Sequence, residues 1–171
     1  MRRLRKKWSR PAQRWNLERI EEERVLMKEY GLKNKRELWK TTSILKSFVD
    51  QAKKLIGKRT AQGERELKQL FAHLQQMGLI GQDATIDSIL SLTKKDLLER
   101  RLQTILVKKK LAKSMKQARQ FITHRHIAVG KNIVTSPSYL VSKNEEDAIN
   151  FVSSSPLSKV DHPERVVGER R

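Results

Sequence analysis

The chain has 171 residues, with 38 lysines and arginines against 19 aspartates and glutamates, a net charge of +19 at neutral pH. Cysteine is absent, which excludes disulfides, cysteine-ligated zinc and thiol chemistry. No run of about eighteen apolar residues occurs, and no apolar stretch follows the basic N-terminus, so neither a spanning helix nor a secretory signal is expected. Charge of one sign at this density repels itself unless a polyanion neutralises it. Nucleic acid is the expected partner. A membrane surface would want a basic amphipathic helix with Trp or Phe on its apolar face, and small-molecule chemistry has no visible machinery.

Residues 1–14 form a basic arm: Arg2, Arg3, Arg5, Lys6, Lys7, Arg10 and Arg14, with Trp8 among them. The arm has no apolar period and cannot build its own core. Two readings stand, a solvated tail or an arm that orders on phosphate with Trp8 stacked on a base. Residues 15–92 read as a helical domain. A first helix begins near Leu17 and stops at Gly31. A second runs from about Lys35 to Ile56, with Leu38, Leu45, Phe48, Val49, Ala52 and Leu55 at helical spacing. A third starts near Gly63 and carries Leu67, Leu70, Phe71, Leu74 and Met77 to a stop at Gly78. Asp83 is placed to cap a short turn with Ile86, Ile89 and Leu90. These stripes read as core, and His73 among them as a packed side chain.

Residues 93–151 read as a separate module. Thr93-Lys94-Lys95-Asp96 has capping-box spacing, and one helix is expected from there to the Lys108-Lys109-Lys110 run. Ser114-Met115-Lys116-Gln117 is a second box, opening a short helix that buries Ala118, Phe121 and Ile122. The period then switches to short strands around Ile127 and Val129, Ile133 and Val134, and Leu140 and Val141, punctuated by Gly130-Lys131 and Ser136-Pro137. Residues 152–171 read as a flexible or partner-ordered tail. The fold class is therefore α+β: a helical domain, then two short helices with a small antiparallel sheet.

The positive charge is densest at 93–131, twelve basic side chains against two acidic. Lys116 and Arg119 lie three apart on one side of the second short helix, continued by Gln120 and Thr123. Arg100 and Arg101 on the preceding helix extend the patch, and His124-Arg125-His126 leads into the first strand. His124 and His126 have metal-capable spacing on a strand, but no further ligands accompany them, so no metal and no cofactor are expected. No phosphate-binding glycine loop and no nucleophile or acid pair in a recognisable setting is present, so no enzyme is expected.

The stretches 98–105 (LERRLQTI), 116–124 (KQARQFITH) and 136–141 (SPSYLV) resemble the RNA-binding module of the S-four family of small-subunit ribosomal proteins. The stretches 22–39 (EERVLMKEYGLKNKRELW) and 90–93 (LSLT) resemble the archaeal and eukaryotic members outside that module. Two departures are visible. Arg125 stands where many members have Gly after the second helix, and Gly130-Lys131 where many have Asn-Gly in the hairpin. The resemblance implies a structural ribosomal protein of archaeal type, cytoplasmic in the ribosome. It implies binding to small-subunit rRNA at a multi-helix junction early in assembly, contact with neighbouring ribosomal proteins, and a place beside the channel where mRNA enters, linked to decoding accuracy. It places RNA contact on Arg100, Arg101, Ser114, Lys116, Gln117, Arg119, Gln120, Thr123, His124 and Lys131, and Arg125 joins them as a residue whose left-handed cost a phosphate contact would offset. The arm residues are added to these on charge and on the family's habit of threading such arms into RNA. Two other readings stay open: an RNA-modifying enzyme or other RNA-binding protein using the same module, and a DNA-binding protein built on the two short helices.

Overall fold

A computed structural model describes residues 6–57, 60–159 and 162–164. Arg2, Arg3 and Arg5 of the basic arm lie outside the described residues. Contacts divide the chain in two: described residues of Met1–Gln75 and Leu79–Leu98 form one unit, and those of Gln76–Gly78 and Glu99–Arg171 the other.

The first unit is helical. Helices α1 (Leu17–Glu29) and α2 (Lys35–Ile56) are each opened by an asparagine. The Asn16 side chain accepts the Arg19 N–H at 2.8 Å and Asn34 accepts that of Glu37 at 3.2 Å, satisfying donors that a helix start leaves bare. Gly31 stops α1 as expected, in the left-handed region at φ 58°, and the Leu32 N–H then closes on the Met27 carbonyl. Helix α3 (Ala61–Gln76) starts earlier than the apolar stripe suggested, because the Thr60 hydroxyl takes the Gly63 N–H at 3.2 Å and caps it. Helix α4 (Ile86–Leu90) is opened by Thr85 rather than Asp83, with the Ser88 hydroxyl accepting the Thr85 N–H. At the start of α5 (Lys94–Glu99) the return half of the expected box is made: Asp96 accepts both the N–H and the hydroxyl of Thr93. Leu98 of α5 packs with Leu26, Tyr30, Leu32 and Leu38. His73 is exposed, its ring edge-on to Phe48.

Beneath the α1–α2 contact lies a buried carboxylate. Glu23 pairs with Arg19 one turn away and with Lys35 at 3.2 Å, and accepts the Trp39 indole N–H at 3.2 Å. Burial works against its charge, but Lys35, Arg19 and Trp39 outweigh it and hold the carboxyl below its ordinary value of 4.5.

The second unit is α+β. The expected single helix across 93–110 is two, α5 and α6 (Leu102–Lys108), broken at Arg100-Arg101. The cause is tertiary. Arg101 is extended (φ −71°, ψ 141°) and bridges Leu140, with the Leu102 N–H on the Tyr139 carbonyl and the Val141 N–H on the Arg100 carbonyl. Helix α7 (Met115–Thr123) packs on α6 and leads into a three-stranded antiparallel sheet of order β2-β1-β3, where β1 is Ile127–Val129, β2 Asn132–Ile133 and β3 Ile149–Phe151. Ile127 pairs with Phe151 and Val129 with Ile149. The third strand is thus not Leu140-Val141, whose backbone is taken by Arg100 and Arg101, but a segment beyond helix α8 (Lys143–Glu146). Gly130 at φ 61° and Lys131 make the two-residue β1–β2 turn. With a left-handed residue only at its first position, the turn follows the II′ pattern.

The core of this unit gathers Leu102, Ile105 and Leu106 of α6, Ala118, Phe121 and Ile122 of α7, Ile127 and Val129 of β1, Val141 and Ile149. Leu157 joins it, 3% exposed, from a 3-10 turn at Pro156–Ser158. The start of the segment read as a flexible or partner-ordered tail is therefore part of the packed unit, held also by the His126 Nδ1 contact to the Ser155 hydroxyl at 2.8 Å.

Two outcomes follow from this packing. Leu157→Ala should lower unfolding free energy by about 2–5 kcal/mol, read as a fall in urea midpoint, because the site is closed by core on all sides. Glu23 contributes stability that is fully present above its unfolded pKa and lost as pH falls through its lower folded value. Urea midpoints followed from about pH 6 to pH 3 should therefore drop less steeply in Glu23→Gln than in the unaltered chain.

Candidate nucleic-acid interface

Apart from the exposed Lys110 and Lys143, two groups of cations stand out in the second unit. In the first, Arg100, Lys108 and Lys109 have acidic or backbone partners. Arg100 is largely covered, donating to Glu146 at 2.7 Å and to the Val141 carbonyl at 3.0 Å. Lys108 pairs with Glu99 at 3.0 Å, and Lys109 reaches the Glu146 carbonyl and the Asp147 carboxylate. Gly78, left-handed at φ 67°, gives the Arg100 guanidinium room: a Cβ there would lie 3.3 Å from its central carbon. Arg101 is 3% exposed. These facts correct the expectation that Arg100 and Arg101 extend the binding patch. Their backbone turn between α5 and α6 carries the side chains inward.

The second group lies on and after α7. Lys116, Gln120 and Thr123 are exposed, Arg119 half-buried, and His124, Arg125 and Lys131 exposed. Among the described residues Lys113, Lys116, Arg125 and Lys131 form no ion pair. Lys113 was not singled out from the sequence. Its signal was the density of lysines through 108–116, which gives no direction for any one of them.

Local chemistry fixes this surface at both ends. At the start of α7 the Ser114 hydroxyl accepts the Gln117 N–H at 3.3 Å, as the box predicts. The Gln117 side chain reaches one residue further back than expected, accepting the Lys113 N–H at 2.7 Å, and its amide donates to the Glu164 carbonyl at 2.9 Å. Ser114 and Gln117 are thus spent on building the helix start. The Gln103 amide, buried in α6, donates to the Met115 carbonyl at 2.8 Å and ties the two helices together. Thr123 returns its hydroxyl to the Arg119 and Gln120 carbonyls.

At the end of α7 the Arg125 N–H closes on the Ile122 carbonyl and the His126 N–H on the Phe121 carbonyl, the two bonds of a Schellman stop. Arg125 occupies its left-handed position at φ 62°, as the departure from glycine implied. Helix α6 ends in the same way, with Lys110 at φ 57° and the Leu111 N–H on the Leu106 carbonyl. A left-handed side chain costs roughly 1–2 kcal/mol relative to glycine. The stops of α6 and α7 both hold a cation, whereas α1 and α3 place glycine there.

In the arm, Trp8 does not stand free. Its ring lies 5.7 Å from that of Trp39 at an interplanar angle of 38°, with the Arg36 guanidinium 5.7 Å and the Lys6 ammonium 5.6 Å from its centre. The Ser9 N–H donates to the Ser43 hydroxyl on α2 at 3.1 Å. From Lys6 onward the arm is docked on its own unit, with Lys6, Lys7 and Arg10 exposed. Among the described residues no group of three or more His, Asp or Glu side chains is placed to share a metal, and no helix is long and apolar enough to cross a membrane.

The family model described as the S4 domain matches residues 100–147, a span that includes α6, α7, the β1–β2 hairpin and α8. Over nearly the full length the chain is similar to small ribosomal subunit proteins uS4 of archaea. It is 50% identical over 165 residues to that of Methanococcus aeolicus, covering 96% of this chain and 93% of the relative. It is 52% identical over 165 residues to that of Methanococcus maripaludis strain C7, with the same coverage. It is 48% identical over 170 residues to that of Nanoarchaeum equitans, covering 98% and 94%.

The strained stop is testable without any ligand. Arg125→Gly should raise the urea midpoint, by about 1 kcal/mol in unfolding free energy, since glycine takes the left-handed position without the clash.

Proposed function

Since the chain belongs to the uS4 family of small ribosomal subunit proteins, we propose that it is a structural constituent of the small ribosomal subunit, acting in the cytoplasm as part of the ribosome and not as an enzyme. It binds small-subunit rRNA at a junction of several helices, early in assembly, and touches neighbouring ribosomal proteins. It lies near the channel where mRNA enters, in contact with the message and in a position to influence decoding accuracy. Residues 93–151 serve as the RNA-binding module.

One observation carries the reading. The exposed side of α7, the stop after it and the β1–β2 turn hold Lys116, Arg125 and Lys131 with no carboxylate partner among the described residues, while Glu99, Glu146 and Asp147 of the same unit are paired with Lys108, Arg100 and Lys109. A-form RNA is recognised through phosphates, 2′-hydroxyls and shape, which a rigid cationic face with Thr123 and Gln120 among its charges is equipped to meet. A flexible charged tail would supply affinity without register. Cations anchored to a core fix the orientation of the RNA as well. Arg101 and Arg100 are left out of this surface, and Ser114 and Gln117 serve it by building the helix start.

Reversing two charges tests the surface. Lys116→Glu with Arg119→Glu should abolish tight binding to the rRNA junction while leaving the helical circular dichroism unchanged. Its residual binding should show a log–log salt slope shallower by about two, as two phosphate contacts are removed. An affinity equal to that of the unaltered chain contradicts the assignment.

A further inference from the structure

All three tryptophans of the chain line one cleft of about 500 Å³ in the first unit, between the docked arm and the facing ends of α1 and α2. Two of the three are engaged. Trp8 and Trp39 lie ring against ring, and the Trp39 N–H is held by Glu23. Trp15 is 89% exposed, a large flat apolar ring offered to solvent at the mouth. Five of the other eight lining residues are cations, the remainder are Pro11, Ile20 and Asn34, and no carboxylate is among them. Arg19 and Lys35 are spent on Glu23. Arg10, Arg14 and Arg36 form no ion pair among the described residues.

We propose that this cleft is a second RNA site, distinct from the α7 face, in which Trp15 stacks on an unpaired base while Arg10, Arg14 and Arg36 hold the flanking phosphates. The combination selects for a single strand. An aromatic face binds any base that has left its helix, because every base presents a π surface, and the adjacent cations follow the backbone. A paired base is already stacked and presents no face. An acidic protein segment would be attracted by the same cations but has no need of a bare indole beside them. The Glu23 cluster serves the site from below. It spends two cations and one indole N–H on fixing α1 against α2, and so holds the floor of the cleft rigid. Trp8, the expected stacking residue, is instead a wall, covered by Trp39 and Arg36.

The inference rests on the rRNA-binding reading, and its test separates the two. The full chain is titrated with an unstructured oligoadenylate and with an RNA duplex of equal phosphate number, reading affinity and tryptophan fluorescence. The single strand should quench fluorescence more than the duplex. Trp15→Ala should weaken its binding about tenfold and remove most of the quenching, whereas Trp15→Phe keeps most of the affinity. Binding of the duplex should change less than about twofold, since no base stacks there. Trp15 is too exposed for its loss to unfold the unit. Unchanged oligoadenylate affinity in Trp15→Ala overturns the site, as does equal quenching by the duplex. Displacement of the oligonucleotide by polyglutamate with the same quenching assigns the cleft to an acidic protein instead. If the unaltered chain binds the rRNA junction through Lys116 and Arg119 while Trp15 proves silent, only the cleft fails. If it does not bind the junction at all, the ribosomal reading fails.

Discussion

Burial of Ala118, Phe121 and Ile122 against α6 and β1 is the interaction on which the second unit depends. Lysines and arginines this close repel one another, and in solution the repulsion persists over a Debye length of about 8 Å. A surface helix carrying Lys116 and Arg119 on one side stays in place only because its other side has nowhere else to go. The apolar contacts hold the helix, the Ser114 cap and the Gln103 amide set where it starts, and the Schellman stop at Arg125 sets where it ends. Each of these constrains backbone rather than charge. Lys116 is thus carried at a fixed position by a cap and a core that do not use its charge.

The distribution of acids completes the arrangement. On the flank of α6 and α8, Glu99, Glu146 and Asp147 are matched to Lys108, Arg100 and Lys109. Lys113, Lys116, Arg125 and Lys131 receive no such matching among the described residues. Exposed pairs of this kind contribute little to stability. Their consequence here is spatial: they remove competing positive charge from one side and leave a directional field on the other. The first unit uses its buried acid differently. Glu23 collects Arg19, Lys35 and Trp39 at a helix crossing, where the carboxylate acts as a structural counter-ion and draws cations away from solvent.

Much of this was legible in the residues. The caps at Ser114 and Thr93, the stop at Gly31 and the buried face of α7 follow from local rules with short reach, the left-handed Arg125 was implied by the family's glycine at that place, and all are present in the fold. What was not legible has one cause, pairing over long sequence separation. Nothing within 94–110 announces a break at Arg101, because the partner that extends its backbone is Leu140. The same pairing displaced the third strand to Ile149–Phe151, buried Arg101 and left Arg100 largely covered. Leu157 is a further instance: a lone apolar residue between Ser-rich and Pro-containing stretches has no period to betray it, and only the sheet beneath it makes it core. In the arm, composition located the cations and Trp8, but the ring that remains free is Trp15, a distinction set by Trp39 on α2.

The most direct test of the central claim is cross-linking of the chain to small-subunit rRNA in reconstituted particles, followed by identification of the RNA-linked peptides. Peptides spanning 113–131 should dominate those from the second unit, and those carrying Lys108, Lys109 and 143–147 should be nearly free of RNA. RNA linked mainly to the acid-matched flank, with 113–131 unmodified, would contradict the central claim.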